Sequence, residues 1–118
     1  MDFKRVRITT TVSVKDADAL RDALGKAGAG TLGDYSFCSF SIIGKGRFKP
    51  SENADPHIGE ANKLEVVEEE QISFNCDLIG AKRVVATLKA VHPYEEPLIE
   101  IVPVIEIADF LQLPDGTD

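Results

Sequence analysis

Apolar and polar residues alternate from Phe3 to Val14: Val6, Ile8, Thr10, Val12 and Val14 share one parity, and Arg5, Arg7, Thr9, Thr11 and Ser13 the other. A period of two rich in β-branched residues predicts a strand with one buried and one polar face. The period then changes. Asp16 provides the short acidic side chain that favours a helix start, and Ala17, Leu20, Leu24 and Ala27 recur at helical spacing as one apolar stripe. Gly28, Gly30 and Gly33 end that helix. Alternation returns from Tyr35 to Ile43, with Cys38, Phe40 and Ile42 on one side. It resumes near Leu64, with Ile72, Phe74, Cys76 and Leu78 at even positions. Glu68 and Glu70 make the same even face acidic, so the start of this third strand is expected to project beyond the core. A second helical stripe follows at Ala81, Val84, Val85, Leu88 and Val91, stopped by Pro93, which lacks an amide donor. Leu98 to Ile107 reads as the last strand, with Ile99, Ile101, Ile105 and Ile107 on one side, and Phe110, Leu111 and Leu113 form an apolar tail.

The order β-α-β-β-α-β, with two amphipathic helices, is satisfied by packing both helices on one face of a four-stranded sheet. This predicts an α+β, ferredoxin-like open-faced sandwich with a long connection between strands two and three. Residues 1–118 read as one domain with 105–118 as a C-terminal extension, without repeats or low-complexity segments. Val67, Ile79, Phe37, Ile43, Val102 and Val104 fall on positions not assigned to the helices. A sheet apolar on both faces needs a second cover, and the simplest is another copy of the chain. The C-terminal tail is the alternative cover.

Composition narrows the function classes. A length of 118 residues with 43% hydrophobic residues suits one folded core. No apolar run approaches the roughly 18 residues that span a bilayer, and the first residues lack a secretory core, so a cytoplasmic protein is expected, with no membrane partner. A formal charge of −7 opposes nucleic-acid binding, whose affinity rests on neutralising phosphates. Cys38 and Cys76 are too few for a zinc motif or disulfide framework, and both lie in strand-like runs where they should act as small apolar side chains.

Two segments carry candidate chemistry. In Gly44-Lys45-Gly46-Arg47-Phe48-Lys49-Pro50, the cations Lys45, Arg47 and Lys49 recur every second residue. On an extended ribbon they point the same way and could hold a small anion or nucleotide, with the glycines letting it approach the backbone. The contrasting reading is a solvated hairpin arm whose charges oppose edge aggregation. In His92-Pro93-Tyr94-Glu95-Glu96-Pro97, His92, Glu95 and Glu96 suit a divalent metal, although a full site needs about four ligands and would draw on His57 or a neighbouring subunit. Tyr94 is placed with the anion-binding set. Against this stands a histidine serving only as a helix C-terminal residue favoured by the dipole. Gly28-Ala29-Gly30-Thr31-Leu32-Gly33 spells a dinucleotide fingerprint but follows a helix instead of preceding one, so it reads as a helix cap and turn. No nucleophile elbow, phosphate loop or zinc-protease helix is present, and catalysis is not expected.

In combination the motifs resemble a family. Ala27-Gly28-Ala29-Gly30, Gly33-Asp34-Tyr35, Cys38-Ser39-Phe40, the Gly44 to Pro50 block, Asn53-Ala54-Asp55-Pro56, Ile58-Gly59, Leu64 to Glu69 and His92 to Pro97 look like the domain inserted into bacterial Nif-three-like proteins. The His-Pro-Tyr-Glu segment and the strand after it also resemble CutA proteins. The resemblance implies a PII/CutA-like fold, often trimeric, occurring here on its own. It places the family's two-metal hydrolase-like site on flanking halves whose histidines this sequence does not contain. What it implies here is a non-enzymatic regulatory, sensor or assembly module, with a divalent metal as an optional ligand and no cofactor required.

Overall fold

A computed structural model describes residues 2–116. The elements run β1 (Arg5–Ser13), α1 (Val14–Lys26), β2 (Phe40–Phe48), β3 (Glu65–Asp77), α2 (Leu78–Val91), β4 (Ile99–Val104) and a short α3 (Ile107–Leu111). The strands form one antiparallel sheet in the order β2-β3-β1-β4. Each βα unit therefore returns to a strand one place beyond its neighbour, the split arrangement of ferredoxin-like folds.

Both long helices cover the same face of β1 and β3. The even residues Val6, Ile8, Thr10 and Val12 meet Ile72, Phe74 and Cys76 across the β1–β3 ladder. Ala17, Leu20 and Leu24 from α1, and Ala81, Val84 and Leu88 from α2, close the core over them. Thr10, fully buried, satisfies its hydroxyl by donating to the Leu98 carbonyl at 2.7 Å, which ties β1 to the start of β4. Ala29 donates to Leu24 (3.0 Å) and Gly28 to Gly25 (3.1 Å), with Gly28 at φ +104°. This is a Schellman closure, so the glycine block is a helix cap.

Several elements differ from the pattern-based expectation. The second strand begins at Phe40 and runs on to Phe48, because the Cys38 amide donates to Gly30 O (2.9 Å) and Phe37 takes a positive φ, both incompatible with a ladder. Cys38 is consequently an exposed thiol in a turn, whereas Cys76 is buried as expected. Ile43 lies opposite Glu70, on the helix-side face, and Phe40 and Ile42 take the outer face. Glu70 does not mark a departure from the core: it is buried and ion-paired with Arg21 of α1. Leu78 opens α2 and is exposed, with its amide donating to Lys4 O, and Ile79 and Val91 are also exposed. The last strand stops at Val104; Ile107 starts α3 instead of continuing the strand. The expected extension 105–118 is described as far as Gly116.

The outer sheet face is more polar than the pattern suggested. Its centre carries Arg7, Thr9 and Thr11 on β1 opposite Asn75, Ser73 and Gln71 on β3. Apolar residues on this face sit on the two edge strands, with Phe40 and Ile42 on β2 and Val102 on β4 all exposed, while the exposed Ile43 and Ile101 belong to the helix-side face. Beyond Ser13 the β2–β3 ribbon projects as two strands alone, giving a longest dimension of 55 Å.

Candidate functional site

Three segments converge at the end of the sheet where β1 gives way to α1: the first turn of α1, the His92–Leu98 segment after α2, and the arch of residues 49–64 that joins β2 to β3. Between arch and sheet lies an open cleft of about 660 Å³, within the ~300–1,000 Å³ range of small-molecule sites. Thr11, Gly46, Phe48 and Glu69 contribute from the sheet, Pro50, Pro56 and His57 from the arch, and Tyr94, Glu95, Glu96 and Leu98 from the far side. Arg47 and Lys49 line it as well.

His92 fixes the far wall. It is the C-cap residue of α2, and its amide still donates to Leu88 O at 2.9 Å. The ring is buried; Nε2 lies 2.9 Å from Thr11 O, and Nδ1 is 3.1 Å from the Tyr94 amide. A carbonyl only accepts and an amide only donates, so the ring is the neutral Nε2–H tautomer, donating to Thr11 and accepting from Tyr94. Burial holds the His92 pKa below its ordinary value, opposed chiefly by the hydrogen bond to Thr11.

Tyr94 packs edge-on against the His92 ring, centroids 4.7 Å apart, and its hydroxyl donates to Glu69 Oε2 at 2.6 Å. Burial, followed by that bond to a carboxylate, raises the phenol pKa well above its usual value, so Tyr94 stays a donor. The absence of a side chain at Gly46 leaves room for the Glu69 carboxylate over β2, where a Cβ would push it aside.

The arch touches the body at two polar points. The Asp55 amide donates to Glu95 Oε1 at 2.9 Å, and His57 Nε2 stands 3.3 Å from Asp16 Oδ2. Asp16 also accepts from the Ser13 hydroxyl, the main reason its pKa falls below the ordinary value, with His57 contributing. His57 and Tyr94 have ring centroids 6.1 Å apart.

The residues nominated from the sequence are thus partly gathered. Arg47, Lys49, Tyr94, Glu95 and Glu96 share the cleft. Lys45 sits within β2 opposite Glu68 and borders a smaller neighbouring recess of about 150 Å³. Strand alternation puts Lys45 and Arg47 on the face opposite Gly46 and Phe48, so the three cations do not form one row facing the cleft. Among the described residues, no group of three or more His, Cys, Asp or Glu is placed to hold a metal. Glu69 and Thr11 were not nominated as site residues by the sequence, and Asp16 was read only as a helix start; the alternation around Glu69 hinted only at its face, and its partner Tyr94 is 25 positions away.

No family model matches the chain. A protein of Halalkalibacterium halodurans named GTP cyclohydrolase 1 type 2 homolog is 43% identical over 96 residues, covering 81% of this chain and 26% of the relative. The chain thus spans about a quarter of the length of that curated relative. Among solved structures, a Bacillus cereus protein related to NIF3 superposes with a TM-score of 0.75 at 34% identity, covering 88% of this chain and 26% of that one. The periplasmic divalent cation tolerance protein CutA from Archaeoglobus fulgidus superposes with a TM-score of 0.61 at 21% identity, covering 91% of both chains. That second likeness concerns the fold alone. No described helix is long and apolar enough to cross a membrane. Over about 80% of its length the chain is therefore homologous to one segment of the NIF3-related proteins, a segment with the CutA-like, ferredoxin-like fold.

Proposed function

We propose that this chain is a non-catalytic regulatory or sensor module that binds a small anion or nucleotide and works as a homo-oligomer, a trimer in the cytoplasm. The carrying observation is the cleft under the arch, which Lys49 lines together with Phe48, Pro50 and Leu98 and which Arg47 borders from the other face of β2. Neither cation has an ion-pair partner among the described residues, which leaves positive charge for a ligand. The exposed apolar residues of both edge strands support a partner subunit.

A thermal-shift screen of nucleotides, phosphorylated metabolites and divalent cations tests the ligand. A compound at 100 times its dissociation constant should add roughly 2.7 kcal/mol of stability, and Lys49→Ala should reduce that gain. Equilibrium sedimentation tests the assembly, and a monomer at high micromolar concentration would refute it. Divalent-metal binding is the second reading, favoured by His92, Glu95 and Glu96 standing in one short segment. It requires metal to displace the Tyr94 amide from Nδ1 and a neighbouring subunit to complete the ligands; loss of a metal-induced shift in His92→Ala would support it. Silence across the panel would favour a protein-interaction module using the exposed Ile107, Phe110 and Leu111 of α3.

A further inference from the structure

We infer that the arch of residues 49–64 is a flap, latched over the cleft by two separate polar contacts, and that Glu95 and His57 act as its latches. The inference rests on the ligand-binding reading of the cleft and concerns how access to it is controlled. The arch supplies one wall of the cleft through Pro50, Pro56 and His57, yet it contains no helix or strand of its own. Asn62 N–H to Pro50 O at 2.7 Å closes its base, and its other internal bonds, Ala54 N–H to Ser51 O at 3.2 Å and Lys63 to Glu60, are local, so none ties residues 55–59 to the rest of the arch.

Two polar contacts hold that tip, from different elements, beside the half-buried Ala54, Pro56 and Ile58 that line the cleft. Glu95, on the segment locked by His92, accepts the Asp55 amide; Asp16, in the first turn of α1, faces His57. The His57 ring stands 6.1 Å from that of Tyr94 and Glu95 follows Tyr94 in the chain, so releasing both contacts would free the arch to swing off the cleft while Tyr94 remains bound to Glu69. Both latches are exposed or half-exposed single bonds, each worth far less than the core packing beneath. Segments held in this way open locally at low free-energy cost while the core remains folded. A ligand that touches the arch and the sheet together would favour the latched state, and the latches would in turn tighten its binding.

Hydrogen exchange read by mass spectrometry on the full chain tests this without any ligand. Glu95→Ala combined with His57→Ala should speed exchange across peptides covering 53–58 by about five- to tenfold, the loss of roughly 1 kcal/mol of local protection. Glu95→Gln retains a carbonyl acceptor and should exchange like the parent. Exchange in β1 and in the Glu70–Cys76 part of β3 should stay unchanged in every variant, which shows that the fold is intact. Equal exchange of 53–58 in the parent and the double variant would overturn the latches. Excess ATP is the second arm: slowed exchange of the arch in the parent, weakened in the double variant, supports coupling to the cleft. If ATP slows the arch equally in both proteins, that coupling is refuted. If ATP leaves the parent unchanged while the latch effect persists, the nucleotide reading of the cleft fails and the flap stands.

Discussion

The two halves of β3 live in different environments. From Glu69 to Ser73 the strand lies between β1 and β2, and from Phe74 to Asp77 it pairs with β1, with Ile72, Phe74 and Cys76 buried under the helices. From Glu65 to Glu68 it pairs with β2 alone, and Val66 is more than half exposed. One half is fixed by packing and the other by a two-stranded ladder with cross-strand pairs such as Lys45 opposite Glu68. An isolated two-stranded ribbon is only marginally stable in water. Its ordered position here depends on contacts at its root: Tyr94 on Glu69, and the arch on Glu95 and Asp16. Stability therefore resides in the helix-covered half, and the cleft is built where that support ends.

Substitutions along this gradient should have graded effects. Ile8→Ala, at a position with no exposed surface between β3 and the helices, should cost roughly 2–5 kcal/mol in urea unfolding. A cost below about 1 kcal/mol would mean that the core is not where the burial places it. Glu70→Ala leaves Arg21 without its main partner against the sheet and should cost about 2 kcal/mol, less than a deeply buried pair because Arg21 is partly exposed.

Tyr94→Phe removes the donor to Glu69 and should cost about 1 kcal/mol, with greater mobility at the root of the ribbon. Its neighbour His92 gives the same root a pH signature. Its folded pKa lies below the ordinary 6.5, so the unfolded chain takes up the proton first. The His92 contribution is complete above 6.5 and is lost as pH falls from there through the lowered folded value. Stability should therefore drop on mild acidification, above the range where Asp16 titrates, and His92→Gln should flatten that drop. Out on the ribbon, Glu68→Ala should change stability by no more than about 0.5 kcal/mol.

The sequence showed the core better than the site, for physical reasons. Val6, Ile8, Val12, Ile72, Phe74, Leu20, Leu24, Val84 and Leu88 follow the periods of 2 and 3.6 that burial imposes, so alternation found them. Boundaries failed where a tertiary hydrogen bond outweighed local pattern, as when Gly30 takes the Cys38 amide or Lys4 takes that of Leu78. Glu70 looked like the start of a solvated arm because its partner Arg21 belongs to another element. The HPYEEP segment stood out by composition, but its pairing with Thr11, Glu69 and the arch joins residues 25 to 81 positions apart, and no local pattern records that.

The most direct test of the central claim is a ¹⁵N–¹H NMR titration of the full chain with ATP. Binding in the cleft should give saturable shifts confined to Gly46, Phe48, the 53–58 stretch and the Tyr94–Glu96 amides, reduced by Lys49→Ala, while the amides of Ile8 and Ile72 stay in place. The absence of shifts at millimolar ATP, or shifts centred on α3 instead, would contradict it.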